Sequence, residues 1–291
     1  KGPDAAAFKL TAISMFLESR HYLQAERLLK EMLDEPGVPP DVFLMLAGIA
    51  RDQRRDTELA LSWLARIPAT SPTAVQAEGL KAQILADAGK EKEALASVRD
   101  LQQRHARNET LLLLEVRLLA RLKAMDEALA RARQAVEIVP ESSELAFTLG
   151  SLLDSLGKRD EAMKVMQGII ASHPEHYQAL NYVGYSLAVQ GKDLEHALEL
   201  LQRADRLAPD QFFIVDSLAW ALFRLGRTEE ALQTIRRAVA LVPSPEAEIL
   251  EHYGDIAAAA GQKEEARKAY EQALKLKPAN ADSLRQRLGD L

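Results

Sequence analysis

The sequence predicts an all-α chain, a right-handed α-solenoid of about eight helix-turn-helix repeats. Three observations carry this expectation. Eight alanines, Ala25, Ala60, Ala94, Ala128, Ala162, Ala197, Ala231 and Ala266, recur at steps of 34 or 35 residues. A fixed period in that range marks helical hairpins that stack on their neighbours. Glycines and prolines fall at constant offsets from the later alanines, where they punctuate helices. Finally, aromatic residues make up only 5% of the 291 residues while alanine and leucine abound, a balance that suits helices packed closely through small side chains.

Taken in order, the repeats fall at about 6–40, 41–74, 75–108, 109–142, 143–176, 177–211, 212–246 and 247–280, and residues 281–291 form a capping helix. The first repeat keeps little beyond Ala25 and the apolar spacing of Phe16, Leu28 and Leu29. The second keeps Gly48, Ala60 and Pro72, the third Gly89 and Ala94. The fourth keeps Ala128, Ala135 and Pro140 but places Lys123 where a glycine is expected. From residue 143 the pattern is regular, as in Val183-Gly184, Gly191, Ala197 and Pro209, or Tyr253-Gly254, Gly261, Ala266 and Pro278.

Each landmark has a physical task. The small residue at repeat position 8 lets the second helix approach the first. Glycine at position 15 supplies the left-handed conformation that ends helix A. The alanine at position 20 sits where the paired helices touch, and proline near position 32 cannot continue helix B. The three 35-residue steps imply single insertions in turns, within Gly191–His196, Pro243–Glu246 and Pro36–Pro40. Such insertions cost little in loops. None is long enough to be a linker, so 1–291 reads as a single superhelix.

Composition narrows the function. A net charge of −6 with no long basic run makes nucleic acid and anionic membrane poor partners. The chain has no cysteine, which excludes disulfides, thiolate zinc sites and cysteine nucleophiles. No stretch of 18 apolar residues is present to span a bilayer. Lys1-Gly2-Pro3-Asp4 reads as a cut edge, with any targeting segment or lipid anchor expected upstream. No phosphate loop, zinc-protease helix or nucleophile elbow occurs. His173-Pro174-Glu175-His176 is the one close histidine pair and lies in a turn, so no metal, cofactor or catalytic residue is expected and the chain reads as no enzyme.

The pattern closely resembles the tetratricopeptide repeat family, over essentially the whole chain. A narrower resemblance lies in Ala179–Leu187, Asp216–Phe223, Pro245-Glu246 and His252–Asp255. These segments look like bacterial outer-membrane tetratricopeptide lipoproteins, a group that includes the adaptor and activator of a periplasmic carboxyl-terminal processing protease. The resemblance implies a non-catalytic adaptor at the periplasmic face of the outer membrane, recruiting and activating a partner protease and presenting its substrates. Attachment to the membrane would run only through an N-terminal lipid anchor. The alternative is a structural scaffold of an envelope secretion or assembly complex, self-associating through the apolar first repeat with Phe8, Leu10, Ile13, Phe16 and Leu17.

In that family, positions 2, 5, 9, 12 and 13 of helix A face the groove. Mapped onto this chain, they nominate Asn181, Tyr185 and Val189 in repeat six, Asp216, Trp220, Phe223 and Arg224 in repeat seven, Glu251 and Asp255 in repeat eight, and Arg117 and Arg121 in repeat four. Residues 177–223 hold seven of the fifteen aromatic residues, where even spreading gives between two and three. Aromatic and arginine side chains anchor protein partners. The competing reading is that half of these aromatics, Tyr182 and Phe212 among them, fill the core or an inter-repeat seam. Arg117 and Arg121 suit an acidic stretch or a carboxyl terminus, or simply form a solvated charged face. Position 5 carries no lysine in any repeat, which argues against the two-repeat clamp with which some family members hold a peptide carboxyl terminus.

Overall fold

The computed structural model describes residues 3–291; Lys1 and Gly2, where the sequence reads as a cut edge, lie outside the described residues. Among these residues the chain forms seventeen α-helices and no strand. Helices α1 (Pro3–Glu18) and α2 (Tyr22–Leu33), α3 (Pro40–Asp52) and α4 (Thr57–Leu64), α5 (Ala74–Asp87) and α6 (Glu91–Arg104), and α7 (Glu109–Arg121) and α8 (Met125–Ile138) form the first four hairpins. Then come α9 (Ser143–Ser155) with α10 (Arg159–Ser172), α11 (Tyr177–Gln190) with α12 (Leu194–Leu207), α13 (Phe212–Arg224) with α14 (Thr228–Leu241), α15 (Ala247–Ala259) with α16 (Lys263–Lys275), and the single helix α17 (Ala281–Gly289). The helices divide into two compact units, one ending at Leu152 and one running Leu153–Leu291.

All eight periodic alanines have zero exposure. Each lies in the first turn or two of a B helix against its A helix, where a methyl group is all that fits. In the second unit, position 8 shows the same constraint from the other side. A Cβ added at Gly184 would stand 2.7 Å from Cγ of Leu201, and one added at Gly254 would enter the ring of the buried Tyr270. Gly48 occupies position 8 of the second repeat, yet a Cβ there would meet nothing within 4 Å. The close approach expected at that position is therefore a property of Gly184 and Gly254, not of every repeat.

The turn after each A helix is more uniform than its sequence. Gly89, Gly157, Gly191, Gly226 and Gly261 all have positive φ, between 66° and 76°. The first, second and fourth repeats put Arg20, Arg55 and Lys123 at the same offset from their alanines, and those residues also have positive φ, at 59°, 51° and 61°. The left-handed conformation is thus imposed by hairpin packing even where a side chain makes it costly. The insertion in the Gly191–His196 segment is absorbed by a second left-handed residue, Asp193, at φ 42°. That in Pro243–Glu246 lengthens the link between α14 and α15.

Helix ends follow local chemistry. Asp56 and Asn108 accept from the backbone N–H groups of Leu59 and Leu111 at 2.9 and 3.1 Å, capping α4 and α7. His176 caps α11 by accepting from the N–H of Ala179 at 3.3 Å, which gives one member of the turn histidine pair a structural task. Helix α4 is only eight residues long. Pro68 lies four residues past Leu64, where its ring would clash with the Leu64 carbonyl if the helix continued, so the helix ends well before Pro72, the landmark retained in that repeat. In that same repeat Trp63 stacks on Phe43 with ring centroids 6.3 Å apart, and the Arg66 guanidinium lies over both rings.

One buried charge network belongs to the first unit. Glu115 of α7 is almost fully enclosed and accepts from Arg99 of α6 at 2.8 Å and from Arg131 of α8. Burial alone would raise its pKa, but the two guanidinium groups hold it below the ordinary carboxylate value. Phe8, Met15 and Leu23 of the first hairpin are 77%, 63% and 81% exposed, while Ile13 is buried.

Two substitutions test this packing by urea unfolding followed through helical circular dichroism. Lys123→Gly removes the left-handed strain and is expected to stabilise by about 0.5–1 kcal/mol. Gly254→Ala is expected to cost about 1–3 kcal/mol through overpacking on Tyr270. A lower midpoint for the first or an unchanged midpoint for the second contradicts the account.

Candidate functional site

The A helices of the second unit carry the candidate site. Helix α13 lies between α11 and α15, so positions 5, 9 and 12 of successive repeats meet along one face. The spacing that buries Ala219 and Leu222 of α13 against the core places Asp216, Trp220 and Phe223 together, one helical turn apart. The rings of Trp220 and Phe223 are 5.4 Å apart at a tilt of 51°. Both are partly exposed.

A histidine joins this face to the next repeat. His252 of α15 is buried, stacks on Trp220 at 4.3 Å and 23°, and lies 6.2 Å from the ring of Tyr185 on α11. Its Nδ1 sits 2.9 Å from Oδ1 and 3.1 Å from Oδ2 of the buried Asp216. Tyr185 completes the arrangement by donating its hydroxyl to Oε1 of Glu248 at 2.8 Å, reaching from α11 across to α15. Burial, and then the Glu248 carboxylate beside it, raises the Tyr185 pKa, so the phenol stays a donor.

Two polar atoms here have no hydrogen-bond partner although they are enclosed: Oδ1 of Asn181 and Nε1 of Trp220. One is an acceptor and the other a donor. A buried group left unpaired costs about 1–3 kcal/mol, and such groups in native proteins call for an explanation.

The arginines nominated from sequence do different things. Arg224 of α13 donates from Nη1 to the carbonyl oxygens of Ala188 and Val189 at 2.9 and 2.8 Å, closing the C-terminal end of α11. Gly191 makes room for it, since a Cβ there would stand 2.7 Å from Nη2. In the first unit Arg121 does the same for α5, donating to the Ala86 carbonyl at 2.6 Å while pairing with Asp87 and Glu91. An arginine at position 13 therefore caps the preceding A helix and complements its dipole. Arg117 is exposed and forms no hydrogen bond or ion pair among the described residues.

The structure thus brings Tyr185, Asp216, Trp220 and Phe223 together, with Asn181 and Arg224 on the same helices. Arg117 and Arg121 belong to the other unit. Glu248 and His252 were not nominated from sequence. No signal in the repeat pattern singles out His252, since position 6 reads Thr11, Leu46, Leu80, Leu114, Thr148, Tyr182 and Ser217 in the other repeats. At the end of this face Arg287 of α17 pairs with Asp255 at 2.7 Å and with Glu251 at 2.5 Å, and Asn280 also donates to Glu251. Tyr182 donates to Asp154 at 2.9 Å, and burial with that contact pushes its pKa up to about 12.

The His252–Asp216 pair sets a pH dependence. Burial pulls the His252 pKa down, and the Asp216 carboxylate, with Glu248 and Asp255 further off, more than offsets this, leaving it above the ordinary value of 6.5. A raised folded value contributes stability that is complete below pH 6.5 and is lost as pH rises through the folded pKa. Asp216→Asn removes the largest contribution that opposes burial and leaves only Glu248 and Asp255 against it, so His252 is expected to titrate lower than in the wild type by NMR. An unchanged His252 titration in the variant would contradict the pair's role.

Comparison with known proteins bears on the fold and the repeat family. The tetratricopeptide repeat family matches residues 147–212 and 217–281, which include Asn181, Tyr185, Trp220, Phe223, Glu248 and His252, while Asp216 falls between the two matched segments. A tetratricopeptide repeat-containing protein of Pseudomonas aeruginosa is 28% identical over 211 residues, covering 72% of this chain but only 35% of that relative's length. Among solved structures, a tetratricopeptide repeat protein from Parabacteroides merdae superposes with a TM-score of 0.58 at 19% identity, covering 86% of this chain and 97% of that one. The type IV pilus biogenesis factor PilW gives a TM-score of 0.59 at 23% identity, covering 76% of this chain and 99% of that one. The chain has the tetratricopeptide fold, and residues 147–212 and 217–281 carry the repeats of that family.

Proposed function

We propose that the chain is a non-catalytic adaptor that holds a segment of a protein partner on the A-helix face of α11, α13 and α15. The observation that carries this is the aromatic group of Tyr185, Trp220 and Phe223, partly exposed and fixed from beneath by His252 and Asp216. Rings held in one orientation anchor a partner with little loss of side-chain entropy.

The partner we propose is a carboxyl-terminal processing protease of the cell envelope, recruited and activated at the periplasmic face of the outer membrane. Support comes from the resemblance of Ala179–Leu187 and Asp216–Phe223 to lipoprotein adaptors of that kind. Binding raises the local concentration of enzyme and substrate, or favours an active enzyme conformation.

Affinity capture from cell-envelope fractions, followed by mass spectrometry, tests both levels. The wild-type chain is expected to retain a processing protease, and Trp220→Ala to retain at least tenfold less while its circular dichroism stays helical. Full capture by Trp220→Ala removes this face from the mechanism. Capture of a set of non-enzymatic envelope proteins without a protease favours the structural scaffold instead.

A further inference from the structure

We infer that the segment held on this face presents a cationic side chain, arginine or lysine, against the rings of Trp220 and Tyr185 with its charge at Glu248. This rests on the reading of the A-helix face as the partner-binding face. Of the carboxylates within α13 and α15, Asp216 is matched by His252, and Glu251 and Asp255 are matched by Arg287. Glu248 is exposed and has no counter-cation among the described residues; its hydrogen bond comes from the neutral hydroxyl of Tyr185.

The same helices offer a partner no free positive charge. Helix α11 contains neither lysine nor arginine, and neither does α15. The one arginine of α13, Arg224, is held on the carbonyl oxygens of Ala188 and Val189. An acidic segment would therefore meet Glu248 with nothing to offset it. A cationic segment meets an uncompensated carboxylate bordered by aromatic rings, a combination that attracts guanidinium and ammonium groups through both charge and the ring quadrupole. His252 beneath Trp220 is balanced by Asp216, so the pair adds no net repulsion. Val189, 48% exposed and at position 13 of α11, extends an apolar contact for the residues beside the cation.

Glu248→Gln is a suitable probe because the amide oxygen still accepts from Tyr185, leaving the fold untouched. The experiment uses an immobilised pool of random nonapeptides with the full chain, followed by Kd measurements on the peptides it selects. Selected peptides are expected to be enriched in arginine and lysine. Replacing that residue by glutamine, or using Glu248→Gln, is expected to weaken binding about three- to tenfold each. The two changes together are expected to weaken it no further than either alone.

No enrichment in cationic residues, enrichment in acidic ones, or fully additive losses would overturn the cationic assignment. If those peptides are nonetheless lost on Trp220→Ala, the A-helix face stands as the binding face and only its charge preference fails. Peptides that bind Trp220→Ala unchanged, or an absence of any bound peptide, remove both readings.

Discussion

The contact on which the structure depends is the approach of each B helix to its A helix across an alanine with zero exposure. A methyl group there sets the hairpin spacing, and any larger side chain would force the helices apart. In the second unit, Gly184 and Gly254 apply the same limit from the A helix. Because the contact recurs every 34 or 35 residues, the turns recur with it. Arg20, Arg55 and Lys123 accept left-handed backbone because the hairpin geometry demands it. The packing determines the turn, and glycine is the least costly residue that complies.

The candidate site is a consequence of the same spacing. With one face of each A helix committed to its hairpin, the opposite edge is left for neighbouring A helices and for partners. Residues five and nine positions into successive repeats then meet side by side. Tyr185 reaches Glu248 across α13, two repeats away, and His252 slides beneath Trp220 of the preceding repeat. Desolvation opposes the attraction within the buried His252–Asp216 pair, and at His252 the attraction prevails. What it secures is the orientation of a tryptophan ring on a partly exposed face.

Much of the fold is legible in the sequence, because alanine, glycine and proline act locally: each excludes conformations without reference to distant residues. The repeat boundaries, the left-handed turns at Gly89, Gly157, Gly191, Gly226 and Gly261, and the ends of α8, α10, α12, α14 and α16 follow from them, whereas the turns at Arg20, Arg55 and Lys123 do not. What escapes notice depends on rotation or on a neighbour. The early end of α4 follows from Pro68 rather than from the repeat landmark Pro72. Gly48 holds the small-residue position without the close approach, which depends on the side chains opposite. At the site, position counting gathers Tyr185, Asp216, Trp220 and Phe223 correctly onto one face. It does not reveal that Arg121 and Arg224 reach back to cap the preceding A helix, since that depends on the carbonyl groups they meet. Glu248 stands at position 2, one of the groove positions, but its contact with Tyr185 and the place of His252 show only when three repeats are seen together.

Site-specific photo-crosslinking tests the central claim most directly. A photoreactive residue placed at Val189, on the A-helix face, is compared with one at Gln233, exposed on the B helix α14. The account predicts crosslinks to the bound partner from position 189 and none from position 233. Crosslinking from position 233 alone would place the partner on the opposite layer and contradict it.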